Sequence, residues 1–254
     1  MHSTTGAPPG QGAAIRARGL GVKGPRGWAF RGVDIDALPG SLVAVQGPSG
    51  SGRTCLLLAL TGRMRTGEGS AEVGGLSLPR QMAAVRRISA LAHVPGVAEL
   101  DASLTVDEHL HERALLQLRF GGSPLALLRS RTERAARTAA RIDAAVTAAG
   151  LDLSALPKGG RTPVRELERL AALRLSLALA LIGTPRLIAV DDTDLKLSDA
   201  ERAQAWALLR SVADTGTTVL AVCSEAPEGA LVVRTDGTDE TKGAAHAFAE
   251  TGRA

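Results

Sequence analysis

Gly47-Pro48-Ser49-Gly50-Ser51-Gly52-Arg53-Thr54 is the stretch on which the fold turns. It follows a short apolar run, Ser41 to Gln46, and leads into Cys55-Leu56-Leu57-Leu58-Ala59-Leu60, a second apolar run closed by Gly62. The first run reads as a buried strand and the second as a buried helix ended by glycine. Strand, glycine-rich turn and helix form the context that the phosphate-binding pattern G-x-x-x-x-G-K-[ST] requires. Glycines let the backbone curl until successive amide N–H groups converge on phosphate oxygens, and the helix N-terminus adds positive potential. Gly47, Pro48, Ser49, Gly50, Ser51, Gly52, Arg53 and Thr54 are therefore the candidate phosphate-binding residues, with the Thr54 hydroxyl placed for Mg2+. The pattern wants lysine where Arg53 stands. Arginine keeps the charge but is longer and planar, so the exchange is not conservative at a tight phosphate site.

The 254 residues suffice for one large α/β domain, or one domain with a sizeable insertion. Hydrophobic residues make up 44% and aromatics only 2%, with no tyrosine, so the core must be built from Ala, Leu and Val. The net charge of +4 is spread along the chain, and too few aromatics exist for base-stacking platforms, which argues against a nucleic-acid partner. Among the basic residues only Lys23, Lys158, Lys196 and Lys242 are lysine, a bias that offers Arg53 a compositional origin. Cys55 and Cys223, the two cysteines, sit in apolar runs and read as buried reduced thiols. No apolar leader stands at the N-terminus, and the longest apolar run, Leu175 to Ile182, is far short of the ~18 residues of a membrane span. The expectation is a cytoplasmic, soluble protein.

Outward from the loop, residues 1–13 read as a disordered tail and 14–235 as the domain, with 236–254 weakly ordered. Ala14 to Gly21 and Trp28 to Ile35 read as strands around a Gly24-Pro25-Arg26-Gly27 turn, Ser70 to Leu78 as a short strand pair, and Arg87 to Val94 as a further strand. A capping box at Thr105 to Glu108 opens an amphipathic helix with Val106, Leu110, Ala114 and Leu118 on one side. Gly121 to Pro124 breaks it, and a second helix runs from about Leu125 to Ala149. This block, about 105–165, reads as a helical insertion in the α/β core. A helix from Val164 to Ile182, a strand from Leu187, a capped helix from Ser198 through Leu209, a strand from Thr217 to Cys223 and an edge strand at Ala230 to Arg234 complete the order. His109 and His111 read as solvated, on one exposed helix.

Leu187-Ile188-Ala189-Val190 ends in Asp191, the strand-end carboxylate that accompanies a phosphate loop and holds Mg2+ opposite Thr54. Here a family resemblance becomes specific. From about residue 14 to 226 the chain resembles the ATP-binding cassette of ABC transporters, whose "GDPRLLLLDEPT" is similar to Gly183-Thr184-Pro185-Arg186-Leu187-Ile188-Ala189-Val190-Asp191-Asp192-Thr193-Asp194. The resemblance implies a P-loop NTPase core with a mixed sheet and a helical insertion, and ATP and Mg2+ as ligands. It further implies pairing of two cassettes, as a homodimer or heterodimer, and attachment to a membrane-spanning transporter subunit at the inner face of the cell membrane.

The departures from the family are systematic. By spacing back from Pro185, the signature Leu-Ser-Gly-Gly-Gln falls on Leu167-Glu168-Arg169-Leu170-Ala171, where Glu168 would repel phosphate. The catalytic glutamate falls on Asp192, one methylene shorter, at a position where general-base geometry tolerates little displacement. The switch histidine falls on Ser224 and the Mg2+-contacting glutamine near His93. The adenine-stacking aromatic has no match near Gly24, and Trp28 is the nearest candidate. ATP binding is accordingly expected to be retained more fully than turnover. The alternatives are a competent ATPase using Asp192 and a scaffold whose nucleotide site has decayed.

Overall fold

The computed structural model describes residues 12–25, 27–120 and 130–235. Two sheets divide the strands by direction. In the first, β1 (Ile15–Gly24) and β2 (Gly27–Ala37) form a long antiparallel hairpin, and β4 (Glu68–Val73) pairs with the other edge of β1 and with β5 (Leu76–Leu78), in the order β2-β1-β4-β5. The β4–β5 turn is Gly74-Gly75, at φ +59 and +83, the two successive positive angles that a tight hairpin matching strand twist demands.

The second sheet is wholly parallel, in the order β6-β7-β8-β3-β9. Its strands are β6 (Ser89–Leu91), β7 (Leu187–Val190), β8 (Thr218–Val222), β3 (Leu42–Gln46) and β9 (Leu231–Arg234). Leu187-Ile188-Ala189-Val190 and Thr218-Val219-Leu220-Ala221-Val222 are buried throughout, as continuous apolar runs must be when both sheet faces are covered. The alternation of β3 shows what covers them. Val43 and Val45 face a core shared with the antiparallel sheet and α1 (Arg53–Leu60), while Leu42 and Ala44 face a second core under α5 (Arg169–Leu181) and α6 (Asp199–Asp214). α1 buries Leu56, Leu57, Ala59 and Leu60 between the two sheets, which fixes the axis along which its N-terminus points.

Between β6 and α5 the chain forms α3 (Val106–Phe120) and α4 (Arg131–Ala148). The Thr105 box is present: Glu108 Oε2 accepts the Thr105 amide at 2.8 Å, and the Glu108 amide donates back to Thr105 Oγ1. Ser198 and Glu201 cap α6 in the same reciprocal way. Val106, Leu110 and Ala114 are buried as the spacing requires; Leu118 lies among the residues whose side chains are not described.

Several expectations need correction. Arg87 and Ile88 are not strand but the last residues of a short helix, α2 (Met82–Ile88), whose Met82, Val85 and Ile88 recur every third residue. The strand that follows ends at Leu91. α5 starts at Arg169 rather than Val164, because Pro163 opens only a single 3-10 turn (Val164–Glu166) before Leu167 turns extended. α4 starts at Arg131, with residues 121–129 outside the described part, and α6 runs on past Leu209 to Asp214. His109 is buried, its Nε2 3.1 Å from the Asp101 carbonyl; only His111 is exposed. The N-terminal boundary shifts slightly, since Ala13 is fully buried and its amide donates to Arg186 O. Gly12 is buried as well, and residues 1–11 and 236–254 lie outside the described residues. Among the described residues, no helix is long and apolar enough to cross a membrane.

Candidate nucleotide site

All the candidate residues that follow strands do so at one edge. β8 lies between β7 and β3, so the loop after β3 (Gly47 to Gly52), Asp191 after β7 and Cys223-Ser224 after β8 emerge side by side at the C-terminal ends of parallel strands. This is the crevice in which open α/β sheets bind ligands.

The loop is built around close approach. Gly52 has φ +84, and a Cβ there would lie 2.2 Å from the Ala29 carbonyl oxygen of β2, so the antiparallel hairpin seats directly on the loop. Gly50, at φ +83, faces open space. Ser51 Oγ and Thr235 Oγ1 are 2.6 Å apart, and the Thr235 amide donates to Gln46 O, so the end of β9 pins the loop from the other side. The first helical bond of α1 runs from Leu56 N to Gly52 O. The amides of Arg53, Thr54 and Cys55 therefore have no helical acceptor, and neither a capping side chain nor a first-turn acid occupies them. The donor set is free for an anion.

Beside it stands a paired oxygen site. Thr54 Oγ1 donates to Asp191 Oδ2 at 2.5 Å, and the Asp192 amide donates to Asp191 Oδ1 at 2.9 Å. Asp191 is buried, which makes an isolated carboxylate costly and a charge partner favourable. A hydroxyl and a carboxylate held together are the hard oxygen ligands that suit Mg2+, usually with several waters completing the shell. The residues thus fit both a phosphate chain and its Mg2+.

Arg53 takes its own course. Its Nη1 donates to the Cys223 carbonyl at 3.1 Å, across the end of β8. Cys223 is buried, and burial, with Asp194 adding to it against Arg53, pushes its thiol up to about 12, so it is chemically inert. Burial raises the half-buried Cys55 as well.

Asp192 lies on the other side of Asp191, in the left-handed region at φ +49. It lines a cavity of about 230 Å3 with His93, Glu99, Arg169 and Thr193, whose buried Oγ1 has no hydrogen-bond partner among the described residues. The His93 carbonyl accepts the Asp191 amide at 2.7 Å, so the sheet register itself sets His93 beside the acids. Burial first, and the nearby Arg169 second, hold the His93 imidazole below its ordinary value, against Asp192, Glu99 and Asp191. An unfolded histidine takes up a proton below about 6.5, whereas the folded one does so only at lower pH. Neutral His93 therefore contributes its full stability above that value, and the contribution is lost as pH falls toward the depressed folded value. Melting curves from pH 7 to 5 are expected to show a steeper loss of stability for the native chain than for His93→Gln; equal slopes would mean that His93 titrates normally.

Ser224 is exposed, and its backbone is what the fold uses. The Ser224 and Glu225 amides both donate to Asp194 Oδ2, at 2.8 and 3.2 Å, which braces the loop after β8 to the loop after β7. Glu168 is the exposed N-cap of α5, but its side chain caps nothing. Trp28 stands on β2, one residue from the loop-contacting Ala29, and is 42% exposed. The Arg31 guanidinium sits 4.8 Å from its ring centroid and Lys23 Nζ 5.8 Å, so it is neither a core nor a free surface tryptophan. Sequence reasoning missed Thr235, Asp194, Glu99 and Arg169 as site neighbours. Among the described residues no group of three or more His, Cys, Asp or Glu is arranged to hold a metal.

A parallel sheet with a glycine-rich loop, an uncapped helix start and a strand-end aspartate defines a P-loop nucleotide-binding domain. The chain belongs to the ABC transporter family, whose profile matches residues 30–194. It is 32% identical over 193 residues to the daunorubicin resistance ATP-binding protein DrrA3 of Streptomyces coeruleorubidus, covering 76% of this chain and 54% of that protein. It is 29% identical over 222 residues to the ribose import ATP-binding protein RbsA 2 of Rubrobacter xylanophilus, covering 85% of this chain and 39% of the relative. The chain thus spans about half or less of the length of these relatives. Among solved structures it superposes on a dimeric ATP-binding cassette in a post-hydrolysis state bound to ADP and Pi, with TM-score 0.63 and 20% identity, covering 83% of this chain and 88% of that one. A bacterial Atm1-family ABC exporter with ATP bound gives TM-score 0.62 at 19% identity, over 86% of this chain and 35% of that one. At those identities the two structures speak for the fold.

Proposed function

We propose that this chain is the ATP-binding subunit of a membrane ABC-type transporter, that it binds MgATP at the loop after β3, and that it turns ATP over slowly. The observation that carries the reading is the Thr54–Asp191 pair, 2.5 Å apart beside the uncapped N-terminus of α1. Thr54 and Asp191 would hold Mg2+, which neutralises phosphate charge when bound; the amides of the loop and of Arg53, Thr54 and Cys55 would orient the phosphates. DrrA3 and RbsA 2 are by name ATP-binding proteins of resistance and import systems, which supports a transport setting at the membrane and a partner subunit that spans it. A second cassette would complete the site, as in the dimeric relative.

Slow turnover is inferred from the side chains around the reacting position. Asp192 is shorter than the glutamate of the family. Ser224 presents a neutral hydroxyl where an imidazole is usual. Glu168 places a carboxylate at the helix start that a partner's phosphate would meet. Loss of a positioned base or of a phosphate donor typically lowers rate ~10²–10⁴-fold each.

One observation favours a second reading, a nucleotide-free scaffold: the Arg53 guanidinium is already engaged by Cys223 O. Calorimetric titration with ATP, with and without Mg2+, separates the two. Binding strengthened by Mg2+ and weakened by Thr54→Ala is the expected result, together with ATP turnover ~10²-fold or more below that of an intact cassette. Absence of binding at millimolar ATP favours the scaffold. Brisk turnover abolished by Asp192→Asn would restore the competent enzyme.

A further inference from the structure

At the opposite edge of the parallel sheet lies a cleft of about 490 Å3 that the nucleotide site does not use. It abuts Ser89 and Ala90 where β6 begins and Pro185 just before β7. The Mg2+ pair stands beyond the far end of β7, roughly 13 Å away at 3.3 Å per residue. Four arginines line the cleft: Arg86 and Arg87 from α2, Arg113 from α3 and Arg141 from α4, with Gln117 beside them. No described residue lining it is acidic.

Two of these cations are fixed in place. Arg86 Nη1 donates to Gly62 O and Arg113 Nε to Leu179 O, bonds to carbonyls that orient the guanidinium without neutralising it. Arg63 lies behind them, its Nη1 donating to Thr61 O and Ser89 Oγ. Burial, then Arg86 and then Arg113, bring the Arg63 guanidinium down to about 10, and burial lowers Arg113. None of the five takes part in any of the ion pairs formed among the described residues. The side chains of Arg87 and Arg141 make no hydrogen bond with those residues. Five like charges converge with no counter-charge among the described residues, while carboxylates elsewhere on the surface pair with other arginines. Such an arrangement destabilises the empty protein and is relieved by an anion. Guanidinium forks match phosphate oxygens two at a time, and a cleft of this size accepts a compact anion rather than an extended chain.

We propose that this arginine cleft is a second anion site, which binds a small phosphate-type oxyanion independently of nucleotide at the phosphate loop. The test is a calorimetric titration of the full chain with inorganic pyrophosphate, compared with the double variant Arg87→Gln/Arg141→Gln. The two substituted side chains are exposed and unpartnered, so the variant keeps the melting temperature of the native chain or exceeds it. Pyrophosphate binding is expected to weaken about tenfold or more in the double variant and to survive in Thr54→Ala, which impairs only the first site. A phosphate-bearing lipid headgroup shares the same chemistry, so flotation with phosphatidylglycerol vesicles forms a second arm. Vesicle binding abolished by the double substitution assigns the oxyanion to a lipid, and titration of pyrophosphate alone assigns it to a free anion. Pyrophosphate and vesicle binding that are absent, or equal in the native chain and the double variant, overturn the proposal. So does a poly-glutamate peptide that binds where neither phosphate probe does, which would make the cleft a seat for an acidic partner segment.

Discussion

Asp191→Asn is expected to remove the Mg2+-dependence of ATP binding while leaving a residual, metal-independent affinity. The Asp191 carboxylate is buried and already receives the Thr54 hydroxyl and the Asp192 amide, so with Thr54 it forms the hydroxyl–carboxylate pair beside the loop. The amide of asparagine preserves one acceptor and the volume but loses the charge that Mg2+ needs. Removing one member of a desolvated, hydrogen-bonded charge pair typically costs about 2–5 kcal/mol, which corresponds to roughly 30-fold or more in affinity. Calorimetry should therefore show MgATP affinity falling by about 10²-fold, with ATP alone nearly unaffected. A variant that still binds ATP more tightly with Mg2+, by the native factor, would show that the metal is held elsewhere.

The second large effect concerns the fold rather than the ligand. Gly52→Ala combines two penalties: a left-handed backbone at φ +84 and a Cβ 2.2 Å from the Ala29 carbonyl oxygen, which belongs to backbone and cannot rotate away. The first costs ~1–2 kcal/mol for an L-residue, and forced displacement of packed backbone adds ~1–3 kcal/mol. A loss of about 2–5 kcal/mol is expected, or roughly 5–15 °C in melting temperature for a chain of this size. Gly50→Ala is the internal control. Its φ is +83, but its Cβ meets nothing within 4 Å, so only the backbone penalty applies. If both variants melt together, the hairpin does not bear on the loop and the collision is relieved by a small shift of β2.

These contacts also show which parts of the molecule were readable in advance. The strand–loop–helix stretch around Gly47 to Thr54 and the strand ending at Asp191 decide the fold, because their patterns are local and their chemistry demands particular residue types. The capping boxes at Thr105 and Ser198 were legible for the same reason. Where two periodicities competed, the reading failed. Ile88, Ala90, Ala92 and Val94 alternate like a strand, but Met82, Val85 and Ile88 recur like a helix, and the helix took Arg87 and Ile88. Pro163 marked a helix start that the chain uses for one 3-10 turn only. His109 looked solvated because nothing local says that the Asp101 carbonyl folds back over it. In the site, Asp194 reaching Ser224 and Glu225, and Ser51 reaching Thr235, join segments far apart in sequence, and no spacing rule encodes them. The arginine cleft was hidden for that reason too: its cations come from three helices, and only the packing reveals that no acid accompanies them.

The place of β3 between β8 and β9 has a consequence for biosynthesis. The strand that carries the phosphate loop is translated long before the two strands, β8 and β9, that fill its edges; Gln46 and its neighbour Ser224 are 178 residues apart. At ~5–20 residues per second, that interval lasts roughly 10–35 s. Throughout it, an apolar strand with two open edges awaits its neighbours, the state most prone to pairing with the wrong chain. The antiparallel hairpin and α1 are available to cover one face of it in the meantime. The nucleotide site is thus the last part of this domain to be completed, and a nascent chain that stalls before β8 carries the loop without the strand that separates it from Asp191.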